Sequence, residues 1–214
     1  MLTKIIFYLL IVPVMALTAT EFWAVASGVV DHLGDYQWLL YGMLLYLVVH
    51  RLSLYNRNEE WLRTANHEWS HALVAMLFLH RIHSLQSGKN SGAVSHSGTK
   101  LGALFITLAP YALPLFTYFT MGVRFLGAED KLFVFDLFIG FTLMFHLLSL
   151  WHEARPHQTD LQRNGLLLSY LYIIVAWLFN FTVILLCVRV GIVDAFVVLF
   201  RSYYTDVVGW LAMV

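Results

Sequence analysis

Long apolar runs separated by short polar stretches make up most of the chain. The apolar runs cover about residues 5–30, 36–49, 64–80, 101–123, 132–151, 166–188 and 192–214. A helix needs about 20 mostly apolar residues to cross a bilayer, and most of these runs approach that length. The last run contains Asp194, Arg201 and Asp206, so it is either a seventh span or an interfacial helix. The pattern predicts an all-α integral membrane protein with six to seven transmembrane or re-entrant helices.

The polar stretches differ in character. Residues 50–64 are charged and amphipathic, which is typical of a segment lying at the membrane interface. Residues 81–100, "RIHSLQSGKNSGAVSHSGTK", contain three glycines and five serines, which predicts a short polar β-hairpin or loop. Residues 152–165 form a second strongly polar loop. Because non-helical backbone at membrane depth must be buried in protein or hydrated, we expect both loops to line polar space.

The composition agrees with a membrane protein. Of the 214 residues, 60% are hydrophobic and 12% are charged, about half the charged fraction of a soluble domain. The formal net charge is zero, which gives no indication of nucleic-acid binding. We find no internal repeat and no linker, so we expect residues 1–214 to form a single membrane-embedded domain. The first apolar run continues past Glu21, which favours a retained helix over a cleaved signal peptide.

One motif places ionisable groups inside this apolar chain. His67-Glu68-Trp69-Ser70-His71 is an HExxH sequence, and residues four apart share a face of a helix. Both imidazoles can therefore bind one zinc ion, and Glu68 can act as the general base toward a zinc-activated water. The alternative is two packing histidines and a glutamate satisfied by neighbours. Burying three such groups without a metal requires many partners, so we favour the metal site.

Three consecutive segments carry a family resemblance. They are "NHEWSHALVAMLFLHRI" (66–82), the glycine-rich polar stretch after it, and "LGALFITLAPYALPL" (101–115). In this order they resemble the HExxH helix, the short β-hairpin and the proline-containing third core helix of the site-2 protease family. The match is to the compact bacterial branch of these intramembrane zinc metalloproteases, and it covers about half of the chain. It implies a Zn²⁺ cofactor, an aspartate as third ligand from a later helix, and membrane-spanning substrate helices.

The chain departs from the family pattern at two places. Ser70 stands where the family usually has glycine, and the usual Asn-Pro…Leu-Asp-Gly signature is absent. The nearest feature is "RPHQTDLQRNG" (155–165), which delivers Asp160 just before the sixth apolar run. The resemblance therefore implies Asp160 as the third metal ligand. An aspartate near a helix start is also an ordinary cap, so capping of the next helix is the alternative role.

Other ionisable residues remain candidates for the site. His146, His152 and Glu153 are the alternative third ligands, because they precede or belong to the same polar loop as Asp160. Asp136 and the hairpin residues His83 and His96 are more typical of hydrogen-bonded or solvated groups.

The topology presents a difficulty for the Asp160 assignment. His67 and Asp160 lie near the starts of their helices, yet two full spans between them would put them on opposite sides of the membrane. Either one run is re-entrant or broken, with Pro110 and Pro114 as natural break points, or Asp160 is not the ligand.

We interpret the chain as an intramembrane zinc endopeptidase that hydrolyses peptide bonds of transmembrane protein substrates. Its expected partners are the lipid bilayer, the substrate and a regulatory membrane partner, and its expected location is the bacterial inner membrane. The main alternative is a non-catalytic zinc-binding membrane protein that acts as a binding module or chaperone. A transporter lined by histidines is disfavoured because the polar residues concentrate in one helix and two loops. A zinc hydrolase acting on something other than peptide stays open.

Overall fold

The protein is mostly helical, with one small β-hairpin. The computed structural model describes residues 2–52, 56–88, 92–98 and 102–212. Over these residues the α-helices, in chain order, are α1 (Leu2–Ser27), α2 (Leu33–Arg51), α3 (Asn56–Leu77), α4 (Ala103–Ala112), α5 (Leu115–Arg124), α6 (Leu132–Glu153), α7 (Thr159–Asn164), α8 (Leu166–Val190) and α9 (Ile192–Ala212). The two strands are β1 (Arg81–Ser87) and β2 (Gly92–Ser97).

Three of the described helical segments are long and apolar enough to cross a membrane: Ile6–Ser27, Glu129–Glu153 and Leu166–Val190. Helices α4 and α5 add a fourth if the bent pair counts as one span. The predicted six to seven spans are therefore not confirmed. The remaining long helices are more polar: α3 begins in a charged segment, and α9 contains Arg201 and Asp206.

The polar stretch after the HExxH motif is an antiparallel hairpin, as the sequence predicts. Arg81 pairs with Ser97 and Ser87 with Gly92, and the register shifts between Ile82 and Ser84. The chain leaves α3 through Leu79, whose φ of 60° is left-handed and unusual for a residue with a branched side chain. This turn folds the hairpin back toward α3.

Helices α2 and α6 pack unusually closely. A Cβ added to Gly42 would lie 1.8 Å from the carbonyl oxygen of Leu137, and one added to Gly140 would lie 1.9 Å from that of Leu39. Only glycine fits at either position, because the two backbones are in direct contact. Small residues allow helices to approach in this way in membrane proteins. Tyr46 on α2 packs edge-on against Phe141 and Phe145 on α6.

The fourth apolar run is broken. Helix α4 ends at Ala112, Leu113 is extended, and α5 begins after Pro114 at an angle of 76° to α4. A proline disfavours helical backbone at the preceding residue, which explains why the break falls at Leu113. The carbonyls freed at the break accept hydrogen bonds from α8, because Trp177 Nε1 donates to Tyr111 (2.9 Å) and Asn180 Nδ2 donates to Ala112 (2.6 Å).

A buried ion pair joins three helices on the other side of the break. Arg124 Nε lies 2.7 Å from Asp136 Oδ1, and Arg124 Nη2 donates to the carbonyl of Val188. Asp136 thus has a structural partner and lies outside the metal site. Glu21, a second carboxylate within an apolar helix, is buried and accepts a hydrogen bond from Ser202 on α9.

Candidate metal centre

Three side chains converge where the sequence places the metal ligands. His67 Nε2 lies 3.5 Å from Asp160 Oδ2, and His71 Nε2 lies 3.4 Å from the same oxygen. The ligand atoms of the three residues lie within 4.8 Å of one another, so the group could hold a metal ion. Asp160 therefore lies beside the HExxH helix. The fourth apolar run is broken between Pro110 and Pro114, the two prolines that the sequence indicates as natural break points.

Both histidines direct Nε2 toward Asp160 Oδ2. Their rings lie 4.9 Å apart, on one face of α3. His67 Nδ1 is 3.0 Å from Glu153 Oε2, and His71 Nδ1 is 2.7 Å from the carbonyl oxygen of Ile106. Both partners are acceptors, so each Nδ1 carries the proton and donates it. Nε2 of each ring is the nitrogen directed toward Asp160, and it is the atom that would bind a cation. This arrangement of outer acceptors is typical of metal-binding histidines.

Asp160 lies in the first turn of the short helix α7. The N-cap of α7 is Gln158, which makes no side-chain capping bond, and Gly165 with a φ of 94° separates α7 from α8. Asp160 therefore does not cap the long helix that follows, contrary to the alternative expected from sequence. Its carboxylate is directed at the two imidazoles instead.

The electrostatics of the three groups favour a positive charge between them. Burial alone would raise the pKa of the Asp160 carboxyl, but hydrogen bonds and charge from His67 and His71 hold it well below its ordinary value. Burial likewise opposes protonation of His67, yet hydrogen bonds to Asp160 and Glu153 outweigh it and raise its pKa to about 9. A divalent cation bound by Nε2 and Oδ2 atoms would supply that positive charge in place of the proton. The donor set thus fits a metal such as zinc.

Glu68 lies beside the ligands and beneath the hairpin. Glu68 is 8% exposed. A Cβ added to Gly92 on β2 would lie 2.5 Å from Cγ and 2.6 Å from Oε1 of Glu68, so the strand packs directly on this side chain. Burial, opposed by the nearby imidazoles of His67 and His71, raises the pKa of the Glu68 carboxyl above its ordinary value. A carboxylate in such surroundings is a stronger base than an exposed one, as a proton acceptor in catalysis requires.

The other predicted candidates take supporting or separate positions. Glu153 contacts His67 Nδ1 rather than the convergence point, and His152 is exposed at the end of α6. His146 is buried against Trp177, and its Nδ1 lies 3.5 Å from Asn66 Nδ2. Neither His146 nor His152 nor Glu153 belongs to the metal-ligand group found among the described residues.

The two hairpin histidines also lie apart from the ligands. His83 Nε2 is 2.6 Å from Ser97 Oγ, within the hairpin itself. His96 Nδ1 is 3.0 Å from His80 Nδ1, and His96 lines the cavity next to the metal site.

Three features of the site have no signal in the sequence. The Ile106 carbonyl fixes His71 from 35 positions away, and Gly92 lets β2 approach Glu68. Tyr111 is fully buried, with its ring 5.5 Å from that of His67 and edge-on to it. Each contact depends on how α4 and the hairpin pack on α3, which no local pattern specifies.

The convergence point opens into a polar cavity of about 350 Å³. Its lining includes the three ligands and Glu68, residues Gly92, Ala93 and Val94 of β2, and Ile106, Thr107 and Arg163. The three candidate ligands and Glu68 therefore face one shared space. A larger cavity of about 700 Å³ lies among the apolar helices, but its lining contains none of these residues.

Comparison of the chain with family models, with curated proteins and with solved structures finds no match.

Proposed function

We propose that the chain is a zinc-dependent intramembrane endopeptidase of the site-2 protease type, acting in a bacterial inner membrane on membrane-spanning substrates. The observation that carries the proposal is the convergence of His67, His71 and Asp160 on one point, with Glu68 beside them. Three described helical segments are apolar enough to cross a membrane, and one of them ends at Glu153, which contacts His67; this supports a substrate that is itself in the membrane.

His67, His71 and Asp160 would hold the zinc, which when bound activates a water and polarises a carbonyl group. The residues of the chain then perform the proton transfers. Glu68 accepts a proton from the attacking water as its oxygen bonds to the scissile carbonyl carbon. Glu68 passes that proton to the amide nitrogen as the carbon–nitrogen bond breaks, which releases an amine and a carboxylic acid, and the acid then loses its proton to solvent.

The hairpin supplies a way to hold an unwound substrate. Residues Gly92 to Val94 of β2 line the cavity beside Glu68. An extended peptide can add to a strand through main-chain hydrogen bonds, and its alternate side chains then enter pockets. Unwinding is required because the peptide bonds of an intact helix are shielded by the turns on either side.

Glu68→Gln separates catalysis from metal binding. The purified variant is expected to retain zinc at the level of the wild type while losing hydrolysis of a peptide library in proteoliposomes, by about 100-fold or more. His67→Ala and Asp160→Ala are expected to lose zinc. Retained hydrolysis in Glu68→Gln contradicts the mechanism, and zinc without hydrolysis in the wild type favours a non-catalytic zinc-binding protein.

A further inference from the structure

A second chamber opens beside the metal site. It has a volume of about 380 Å³ and is bounded by the hairpin, α4 and α7. His96, Ile106, Thr107 and Arg163 line both this chamber and the cavity that contains Glu68. The two spaces are therefore neighbours, and a peptide bound across the metal site has side chains close to both.

The lining of the second chamber contains the guanidinium of Arg163 and several polar side chains. Its described polar members are His80, His96, Arg163, Asn164, Ser97 and Thr107, and no carboxylate is among them. The first cavity, in contrast, contains Glu68 and Asp160. Burial and the neighbouring positive groups, including His80 and Arg163, lower the pKa of His96. Arg163 lines both spaces, but only the first also contains carboxylates among its described lining residues.

Two groups in the chamber have donors or acceptors that no described residue pairs with: the guanidinium of Arg163, and Nε2 of His80, whose Nδ1 contacts His96. Arg163 is exposed, and no carboxylate of the described chain lies within ion-pair distance of its guanidinium. His80 is 7% exposed, and its Nε2 is buried without a hydrogen bond. The backbone at Gly98 closes over the ring, because an added Cβ would lie 2.7 Å from Nε2. A buried ring nitrogen without a partner is costly, so a ligand that pairs with it is favoured.

We infer that this chamber binds a carboxylate of the substrate close in sequence to the scissile bond. A guanidinium binds a carboxylate through two parallel charge-assisted hydrogen bonds, and an imidazole N–H and the Asn164 amide add neutral donors. The carboxylate comes either from an aspartate or glutamate side chain or from the C-terminus of a short peptide. The inference rests on the proposed peptidase function and deepens it by naming an acidic residue as a specificity element.

Cleavage-site profiling tests the inference. A peptide library in two versions, one with free C-termini and one amidated, is incubated with the full-length protein in proteoliposomes, and the products are sequenced by mass spectrometry. We expect aspartate and glutamate to be enriched at one fixed position from the scissile bond. Enrichment in the amidated version identifies a side-chain carboxylate. Cleavage confined to free C-termini at a fixed distance identifies the terminal carboxylate.

Variants of Arg163 test whether the chamber causes the preference for acidic residues. Arg163→Ala is expected to lower the acidic preference by about tenfold or more, the usual scale for a charge-assisted hydrogen bond. Arg163→Glu is expected to shift the preference to lysine and arginine. Arg201→Ala, which changes an exposed arginine on α9 outside both cavities, is the matched control and keeps the acidic preference. Zinc content and the thermal unfolding midpoint establish that each variant is folded.

The outcomes separate the two proposals. Zinc-dependent cleavage without an acidic preference, or with a preference that Arg163→Ala leaves unchanged, overturns the inference that the chamber binds a carboxylate. The proposed peptidase function is then unaffected. Absence of cleavage by the zinc-loaded wild type overturns the peptidase function, and the chamber inference with it.

Discussion

His67 Nδ1 lies 3.0 Å from Glu153 Oε2, across 86 positions of sequence. Glu153 is the last residue of α6 and His67 lies midway along α3, so this contact joins the end of one helix to the ligand-bearing face of another. The carboxylate accepts the proton of Nδ1 and leaves Nε2 free to bind a cation. Glu153 is therefore a positioning residue for the first ligand.

Replacement of Glu153 by alanine is expected to weaken zinc binding by about 10–100-fold, the usual effect of removing an outer partner of a metal-binding histidine. Glu153→Gln keeps an acceptor oxygen and should lose less. Competition with a chromogenic chelator measures both affinities. Glu129→Ala removes an exposed carboxylate in the 3-10 turn just before α6 and is the control. Equal zinc affinity in Glu153→Ala and the control would contradict the positioning role.

Gly92→Ala is expected to lower hydrolysis without removing zinc. The added methyl would lie 2.5 Å from Glu68 Cγ, and the flexible end of that side chain can move aside at little cost to folding. Glu68 would then be displaced from the water it must deprotonate, whereas the three ligands are untouched. Parallel assays of hydrolysis and zinc content test this.

The matched control for Gly92→Ala is Gly122→Ala, since an added Cβ at Gly122 meets nothing within 4 Å. Loss of zinc in Gly92→Ala, or full activity, would show that the hairpin does not constrain Glu68.

Chelation of the metal is expected to lower the thermal stability of the wild type. A ligand that binds only the folded state stabilises it by about 2.7 kcal/mol at a hundredfold excess over its dissociation constant. Asp160→Ala should unfold at the same temperature with and without chelator, because it lacks the third ligand. Asp194→Ala removes an exposed carboxylate of α9 and should behave like the wild type. A chelator effect of equal size in Asp160→Ala would point to a different ligand.

Asp136→Ala is expected to destabilise the fold by about 3–5 kcal/mol, because it leaves the Arg124 guanidinium buried without its counter-charge. The double variant Arg124→Leu, Asp136→Leu removes both charges and should recover most of that loss. Denaturant unfolding in detergent measures the difference.

The exposed pair of Arg189 and Asp35, 3.5 Å apart, provides the comparison for Asp136. Asp35→Ala should cost less than about 1 kcal/mol, since water screens this pair. Similar losses in Asp35→Ala and Asp136→Ala would show that burial does not determine the strength of the two interactions.

The residues that could be predicted from the sequence are those whose role follows from local spacing. The four-residue interval of His67 and His71 places both rings on one helix face, the glycines and serines of 81–100 predict the hairpin, and the prolines predict the break at Leu113. Asp160 was predicted in a different way, from the resemblance to the site-2 protease family, which implies an aspartate just before the sixth apolar run.

Contacts across the fold could not be predicted in the same way. Glu153 was one of three alternatives to Asp160 as third ligand, whereas its carboxylate contacts His67 Nδ1, on the other side of the ring. The contact of His71 with the Ile106 carbonyl could not be predicted, because every residue has a backbone carbonyl and side-chain patterns do not show which one is used. The predicted six to seven spans are not confirmed by the described helices, because α2, α3 and α9 contain charged and polar residues beside their apolar runs.

The short helix α4, which ends at the break before α5, connects the candidate metal site to helix α8. Helix α4 has ten residues and is about 15 Å long, half the thickness of a bilayer core. One of its carbonyls holds His71, while its far end is fastened by Trp177 and Asn180 to the long apolar helix α8. A tilt of α8, such as lipids of different chain length impose, is therefore expected to reach His71 through α4. If the group of His67, His71 and Asp160 binds zinc as proposed, its zinc affinity should change with the thickness of the surrounding membrane.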